Sequence, residues 1–295
     1  MPWQLLMLFQ NLLAAIFAIN SRQIALKFKR AALPLNLMIY AVISISGVAY
    51  ALVKGFSSVS PSEFYHFVIF FVFAGACFAI TNILSYIVFQ YVDAAIATLL
   101  ATLNVITSVV ASTLLIHESL TSRQIFGAVI VLLSMYIILG VHANVYRRNR
   151  LWAGLFLSIV ASIFFGFAAA TEKYLLNHVN LSTYLVFGWG FQFVGVITVS
   201  VLLGIRLKAD FVLLKKASFW KLALPASVIR MASGLLFIFS LKLSNNLSII
   251  SVYSGFKVIL AALLGVYILR ERAYLFRKFE AALLAMLGIA VMLWK

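Results

Sequence analysis

Long apolar runs, each broken by a short polar or charged stretch, occupy nearly the whole chain. A helix that crosses the roughly 30 Å hydrocarbon layer of a bilayer needs about 20 such residues. Strands of a membrane barrel would instead alternate over about 10 residues, and the chain lacks that alternation. The pattern therefore predicts ten membrane-spanning α-helices. The predicted spans are Trp3–Asn20, Ala31–Val53, Phe64–Gln90, Ala94–Ile116, Ile125–Val141, Leu151–Leu175, Leu181–Ile205, Phe219–Leu241, Leu247–Leu269 and Phe276–Trp294.

The composition supports this all-α, polytopic membrane fold. Hydrophobic residues make up 65% of the 295 residues and charged residues 10%, whereas a soluble domain has about 45–50% and about 25%. The mean hydropathy is +1.11. The formal net charge of +16 does not indicate nucleic-acid binding, because most Lys and Arg lie in breaks beside apolar spans, where anionic lipid and the positive-inside rule account for them.

The distribution of these basic residues also predicts an orientation. Sixteen Lys and Arg follow odd-numbered spans, five lie on the other side, and two lie within spans. The excess places both chain termini outside the cytoplasm. We expect a multi-pass protein of the inner (cell) membrane of a bacterium or archaeon, either a monomer or a homodimer, with a small-molecule solute and membrane lipid as its partners.

The chain also repeats itself. A shift of 153 residues lays Ala94–Ile116 on Leu247–Leu269 and Glu118 on Glu271, and a shift of 147 residues aligns the starts of the two halves. We therefore predict two five-helix units, residues 1–145 and 150–295. Because five is odd, the two units enter the membrane from opposite sides, which is the inverted-repeat architecture of many secondary transporters.

The segment Thr98–Gly140 has an apolar helix, a Glu, a short break and a second helix, with nine residues from Glu118 to Gly127. It resembles the EamA-like branch of the drug/metabolite transporter superfamily. In the second unit Glu280 replaces the corresponding Gly, and Ser254-Gly255-x-Lys257 is similar to the Gly-x-x-x-Lys of the nucleotide-sugar and triose-phosphate branches. The resemblance implies ten helices around a central cavity, alternating access and transport of a small organic solute.

Two cations lie near the middle of consecutive predicted spans, Arg230 and Lys257. Ionisable residues at that depth are costly and usually face a cavity or a partner. Arg230 can hold a carboxylate or phosphate by two parallel hydrogen bonds. The alternative for both cations is a structural role, paired with a carboxylate or with backbone carbonyls. Tyr253 and Ser254 lie just before Lys257 and are expected to share its site.

Among the seven acids, Glu172 alone is placed where it could reach inward, and an interfacial pair with Lys173 is the favoured interpretation. The cavity is therefore predicted to be positive, which favours an anionic or zwitterionic solute. In the first unit Asn82, Tyr86 and Asn104 are expected to bind the uncharged part of the solute, with helix packing as the alternative.

These features predict a secondary transporter of a small anionic or zwitterionic metabolite, such as an amino acid. The alternatives are an exchanger of phosphorylated solutes or nucleotide sugars, and a lipid-phosphate flippase. An enzyme is not expected, because no cluster of acids or histidines suits catalysis, and the four histidines lack the spacing of metal ligands. No cofactor is expected either. The predicted substrate-binding residues are Lys257, Arg230, Tyr253, Ser254, Asn82, Tyr86 and Asn104.

Overall fold

A computed structural model describes residues 2–28, 30–55, 61–118, 121–142, 148–202, 211–244, 246–270 and 275–293. Apart from a short 3₁₀ turn at Val212–Lys215, the regular structure of these residues is α-helical. The helices are α1 (Trp3–Lys27), α2 (Ala32–Lys54), α3 (Pro61–Tyr91), α4 (Ala94–Leu100), α5 (Leu103–Ile116), α6 (Ser122–His142), α7 (Arg148–His178), α8 (Leu181–Leu202), α9 (Ala217–Ser244), α10 (Leu247–Ser254), α11 (Lys257–Ile268) and α12 (Leu275–Leu293).

The helices confirm the predicted polytopic all-α fold. Within the described residues, eight helices or helix pairs are long and apolar enough to cross a membrane. Several helices extend past the predicted ends of their spans; α1 reaches Lys27 and α7 reaches His178. Charged residues that the sequence placed in loops therefore lie on helices, among them Arg22.

Corresponding helices of the two halves of the chain have corresponding packing partners in the opposite half. Helix α3 packs on α7 and α8, while α9 packs on α1 and α2. Helix α5 contacts α7 in the way that α11 contacts α1, and α2 with α8 and α6 with α12 pair across the halves. An inverted repeat would produce this correspondence. The contacts are consistent with the predicted repeat, whose unit boundaries at residues 145 and 150 remain a prediction.

Glycines let two of these helix pairs approach closely. A Cβ on Gly195 of α8 would lie 2.7 Å from the carbonyl oxygen of Gly75 on α3. A Cβ on Gly288 of α12 would lie 2.7 Å from the carbonyl oxygen of Gly127 on α6. Membrane helices commonly use small residues in this way, because association in lipid depends on close van der Waals packing.

Two of the predicted spans are interrupted at corresponding places. Between α4 and α5, the amide of Asn104 donates to the carbonyl of Ala101, and between α10 and α11 the amide of Val258 donates to Gly255. These are i to i−3 bonds in place of the α-helical i to i−4 pattern. The breaks place Asn104 and Lys257 in the first turn of α5 and α11 respectively. Broken helices in transporters commonly lie beside the substrate site.

Candidate functional site

Two cavities meet at the centre of the helix bundle, and both are lined by Phe165, Arg230 and Lys257. Their volumes are about 80 Å³ and about 120 Å³, so each has room for several waters. The first cavity has the polar lining residues Gln10, Tyr40, Glu172, Trp189, Gln192 and Ser254. Polar residues of the second cavity include Thr81, Asn82, Ser85, Thr98, Asn104 and Ser158.

The two cavities lie at different depths along the bundle. Helix α7 contributes Ser158 to the second cavity, Phe165 to both and Glu172 to the first. At a rise of 1.5 Å per residue, Ser158 and Glu172 are about 21 Å apart along the helix axis. Arg230 and Lys257, which line both cavities, therefore lie in a layer between two spaces at different depths of the bundle.

Arg230 is held by contacts that leave most of its donors unused. Its Nη2 donates to Oδ1 of Asn82 at 3.4 Å, and its guanidinium carbon lies 5.6 Å from the centre of the Phe17 ring. The Asn82 Nδ2 donates to the Tyr40 hydroxyl at 2.5 Å and to the Phe78 carbonyl at 2.7 Å. These bonds direct the Asn82 carbonyl towards Arg230. Because a guanidinium has five N–H donors, the remaining donors are available to a solute.

Among the described residues, Lys257 has no hydrogen-bond partner, and no carboxylate lies within 4 Å of its ammonium. Its side chain is half-buried and lines both cavities. An uncompensated ammonium at this depth is costly. The structural pairing considered from the sequence is therefore not formed by the described residues, and an anion in either cavity could supply the missing partner.

Glu172 lies in the first cavity rather than at the membrane interface. It is 3% exposed, and its Oε1 accepts a hydrogen bond of 2.5 Å from the Tyr184 hydroxyl. The expected pair with Lys173 was wrong, since the Lys173 ammonium instead lies 3.5 Å from the Leu241 carbonyl. A periodic signal could have placed Glu172 correctly. Ser158, Phe165 and Glu172 are spaced by seven residues and therefore share one face of α7.

The other predicted site residues divide into two groups. Asn82 and Asn104 line the second cavity and Ser254 lines the first, whereas Tyr86 and Tyr253 line neither. The Tyr86 hydroxyl is buried and has no hydrogen-bond partner among the described residues, and the Tyr253 ring meets Trp3 edge-on at 4.9 Å. Gln10, Tyr40, Trp189 and Gln192 were not predicted, because a residue type alone does not show which helix face meets the cavity.

The first half of the chain matches the model of a known protein family. A family model described as the EamA-like transporter family matches residues 1–140. Residues 1–140 are therefore similar to the EamA-like transporter family. The predicted resemblance to the drug/metabolite transporter superfamily is confirmed. This family comprises transporters rather than enzymes. The long apolar helices of the chain identify an integral multi-pass membrane protein, and a transporter of this kind would have a small-molecule solute and membrane lipid as its partners.

A solved structure entitled "Crystal structure of protein" shares the fold of this chain. It is 15% identical in sequence, covers 96% of this chain and 98% of its own, and superposes with a TM-score of 0.62. At this identity the likeness concerns the fold alone. The search of curated proteins found no match.

Beyond the second cavity of the helix bundle lies a buried ionic cluster. Asp93, in the turn between α3 and α4, accepts a hydrogen bond of 2.7 Å from Lys278 of α12, and its other oxygen lies 3.5 Å from Arg22 of α1. Arg22 also donates to the carbonyl of Phe89, and Phe89 lines the second cavity. The cluster ties three parts of the bundle together at this end.

At the opposite end, Glu118 connects the two halves. Its carboxylate accepts hydrogen bonds from the Leu247 amide at 3.2 Å, the Ser248 amide at 3.4 Å and the Ser248 hydroxyl at 2.8 Å. Glu118, which follows α5 of the first half, therefore caps α10 of the other half. Such an acid compensates the positive end of the helix dipole. Its counterpart in the repeat, Glu271, lies outside the described residues.

Proposed function

We propose that the chain is a secondary transporter that moves a small anionic or zwitterionic organic metabolite by alternating access. One observation supports this most strongly: Arg230 and Lys257 lie between two cavities and line both. A solute that enters from either side meets the same two cations. This is the arrangement that alternating access requires, in which one site near the midplane is exposed to each side in turn.

The charges of the site favour an anionic group on the solute. Arg230 has a single amide oxygen as its hydrogen-bond partner and Lys257 has none among the described residues. A carboxylate or phosphate would compensate both cations, whereas an organic cation would be repelled by them. Asn82 and Asn104, in the second cavity, can bind neutral polar groups of the same solute.

The size of the cavities favours a small solute. Volumes of about 80 and 120 Å³ hold several waters each, which suits a metabolite of amino-acid size better than a lipid or a nucleotide sugar. We place the protein in the inner membrane of a bacterium or archaeon, where such a transporter would move the metabolite between cytoplasm and exterior.

A thermal-shift screen of purified protein tests this proposal. The panel contains monocarboxylates, amino acids, phosphate esters and organic amines, and the variants are Arg230→Ala and Lys257→Ala. Lys242→Ala is the matched control, because Lys242 is an exposed cation on the same helix as Arg230.

Binding of a ligand to the folded state stabilises that state. The proposal therefore predicts that a carboxylate or an amino acid raises the melting temperature of the wild type and of Lys242→Ala. The same ligand should not raise the melting temperature of the two site variants. Stabilisation of all four proteins alike would contradict the proposal, as would stabilisation by amines alone. Stabilisation by phosphate esters alone would favour the exchanger of phosphorylated solutes.

A further inference from the structure

The first cavity contains an acid as well as two cations. Among the described residues that line it, Glu172, Arg230 and Lys257 carry formal charges. The carboxylate is almost completely buried, at 3% exposure. A buried carboxylate is costly unless hydrogen bonds or an opposite charge compensate it.

These three charged groups do not form an ion pair with one another. Within the described residues, Glu172 accepts its hydrogen bond from Tyr184, Arg230 donates to Asn82, and Lys257 has no hydrogen-bond or carboxylate partner. Opposite charges that only stabilised the protein would be expected to meet directly, since that geometry recovers most of the cost of burial. Here they line the same cavity of about 80 Å³ and leave its space between them.

Tyr184 holds the carboxylate in a fixed position. Its side chain is fully buried, at 0% exposure, and a Cβ added to Gly188 would come within 2.9 Å of its ring, so the ring fills the place that a larger residue at 188 would take. Its hydroxyl donates to one carboxylate oxygen at 2.5 Å. The other oxygen has no hydrogen bond from the described residues and is free to accept one from a solute.

We propose that Glu172, positioned by Tyr184, binds an ammonium group of the solute while Arg230 and Lys257 bind its carboxylate. The solute is then a zwitterion, and each of its charged groups meets the opposite charge in the first cavity. This inference rests on the proposed function and narrows it from anionic or zwitterionic solutes to zwitterions. Gln192 and the Trp189 ring, which line the same cavity, suit this solute because an amide oxygen and an indole face both attract an ammonium.

Matched ligand pairs test the inference. Each L-amino acid is compared with the carboxylic acid of the same side chain that lacks the amino group, by thermal shift and then by calorimetry. The variants are Glu172→Gln, which keeps the shape but removes the charge, and Tyr184→Phe, which removes the positioning hydroxyl. Glu280→Gln is the control, because Glu280 is an exposed acid of α12 whose partner is Arg277.

The wild type and Glu280→Gln should bind at least one amino acid more tightly than its amino-free partner. Glu172→Gln should weaken amino-acid binding by about 10- to 100-fold, the range for losing a hydrogen bond to a charged group, and change binding of the amino-free acid by about twofold or less. Tyr184→Phe should reduce the same preference by a smaller factor. The preference for the amino acid over its amino-free partner is a ratio of two affinities of one variant, so a change in fold stability does not alter it. Tyr184→Phe supplies the test if Glu172→Gln does not fold.

Two results would overturn the inference while leaving the proposed function standing. The first is equal affinity of the wild type for amino acids and their amino-free partners, with both lost in Arg230→Ala. The second is an equal loss of both ligands in Glu172→Gln, which would indicate a structural or proton-binding role for the carboxylate. Failure of the wild type to bind any member of either set would contradict both proposals.

Discussion

Replacing Asp93 by Asn should strongly destabilise the protein, because Asp93 compensates two buried cations at once. The Lys278 ammonium lies 2.7 Å from one carboxylate oxygen and the Arg22 guanidinium lies 3.5 Å from the other. The three residues are between 3% and 8% exposed. An amide at position 93 could still accept a hydrogen bond, but it would remove the negative charge that lies beside both cations.

The expected cost follows from this burial. Removing one partner of a buried ion pair typically costs about 3–5 kcal/mol, because the remaining charge is left uncompensated. Arg22 keeps its bond to the Phe89 carbonyl, so the lower end of that range applies. We expect a loss of about 3 kcal/mol, which is a change of more than 100-fold in the unfolding equilibrium constant.

Denaturant-induced unfolding in mixed micelles measures this loss, and Glu280→Gln is its control. Glu280 lies 3.0 Å from Arg277, but these side chains are 38% and 54% exposed, so their pair should contribute about 0–1 kcal/mol. Both substitutions convert an acid to its amide in an ion pair involving the first turn of α12. If Asp93→Asn destabilised the protein no more than Glu280→Gln does, the assignment of Asp93 as the centre of a buried cluster would be refuted.

Three further substitutions have defined outcomes. Gly127→Ala should lower the melting temperature, since its Cβ would meet the Gly288 backbone. Gly190→Ala is the control and should leave the melting temperature unchanged, since a Cβ there meets nothing within 4 Å. Similar melting temperatures of the two variants would contradict this packing. Glu118→Gln should reduce the unfolding free energy by about 1–2 kcal/mol through the weakened cap of α10, and a neutral effect would show that the cap contributes little. Tyr86→Phe should keep full transport and wild-type stability in proteoliposome and unfolding assays, because its buried hydroxyl has no partner among the described residues; loss of transport would return Tyr86 to the site.

The spans could be predicted from the sequence because lipid imposes one simple requirement, a long apolar run with internally bonded backbone. The same requirement makes Arg230 and Lys257 conspicuous, since few residue types are as costly at mid-depth. The placement of Glu172 could not be read from span ends. Glu172 lies three residues before the predicted end of its span at Leu175, which favoured an interfacial position, whereas helix α7 continues to His178 and Glu172 lines the first cavity.

Other features depend on contacts between distant segments, which local pattern does not reveal. Glu118 caps a helix that begins 129 residues later in the chain, and Asp93 meets Lys278 across 185 residues. Tyr86 and Asn82 lie four residues apart on α3, yet Asn82 alone of the two lines the cavity. No proline or glycine lies at the helix interruption at Ala101 and Thr102, so the sequence does not indicate it.

Solute uptake into proteoliposomes tests the central claim most directly, with the wild type, Arg230→Ala, Lys257→Ala and the exposed control Lys242→Ala compared at equal protein content. The account predicts that the wild type and Lys242→Ala take up the solute identified by the binding screen, while each site variant loses at least about 90% of that uptake, since losing a hydrogen bond to a charged group costs about 1.5 kcal/mol or more. Uptake by both site variants at the wild-type rate would contradict it.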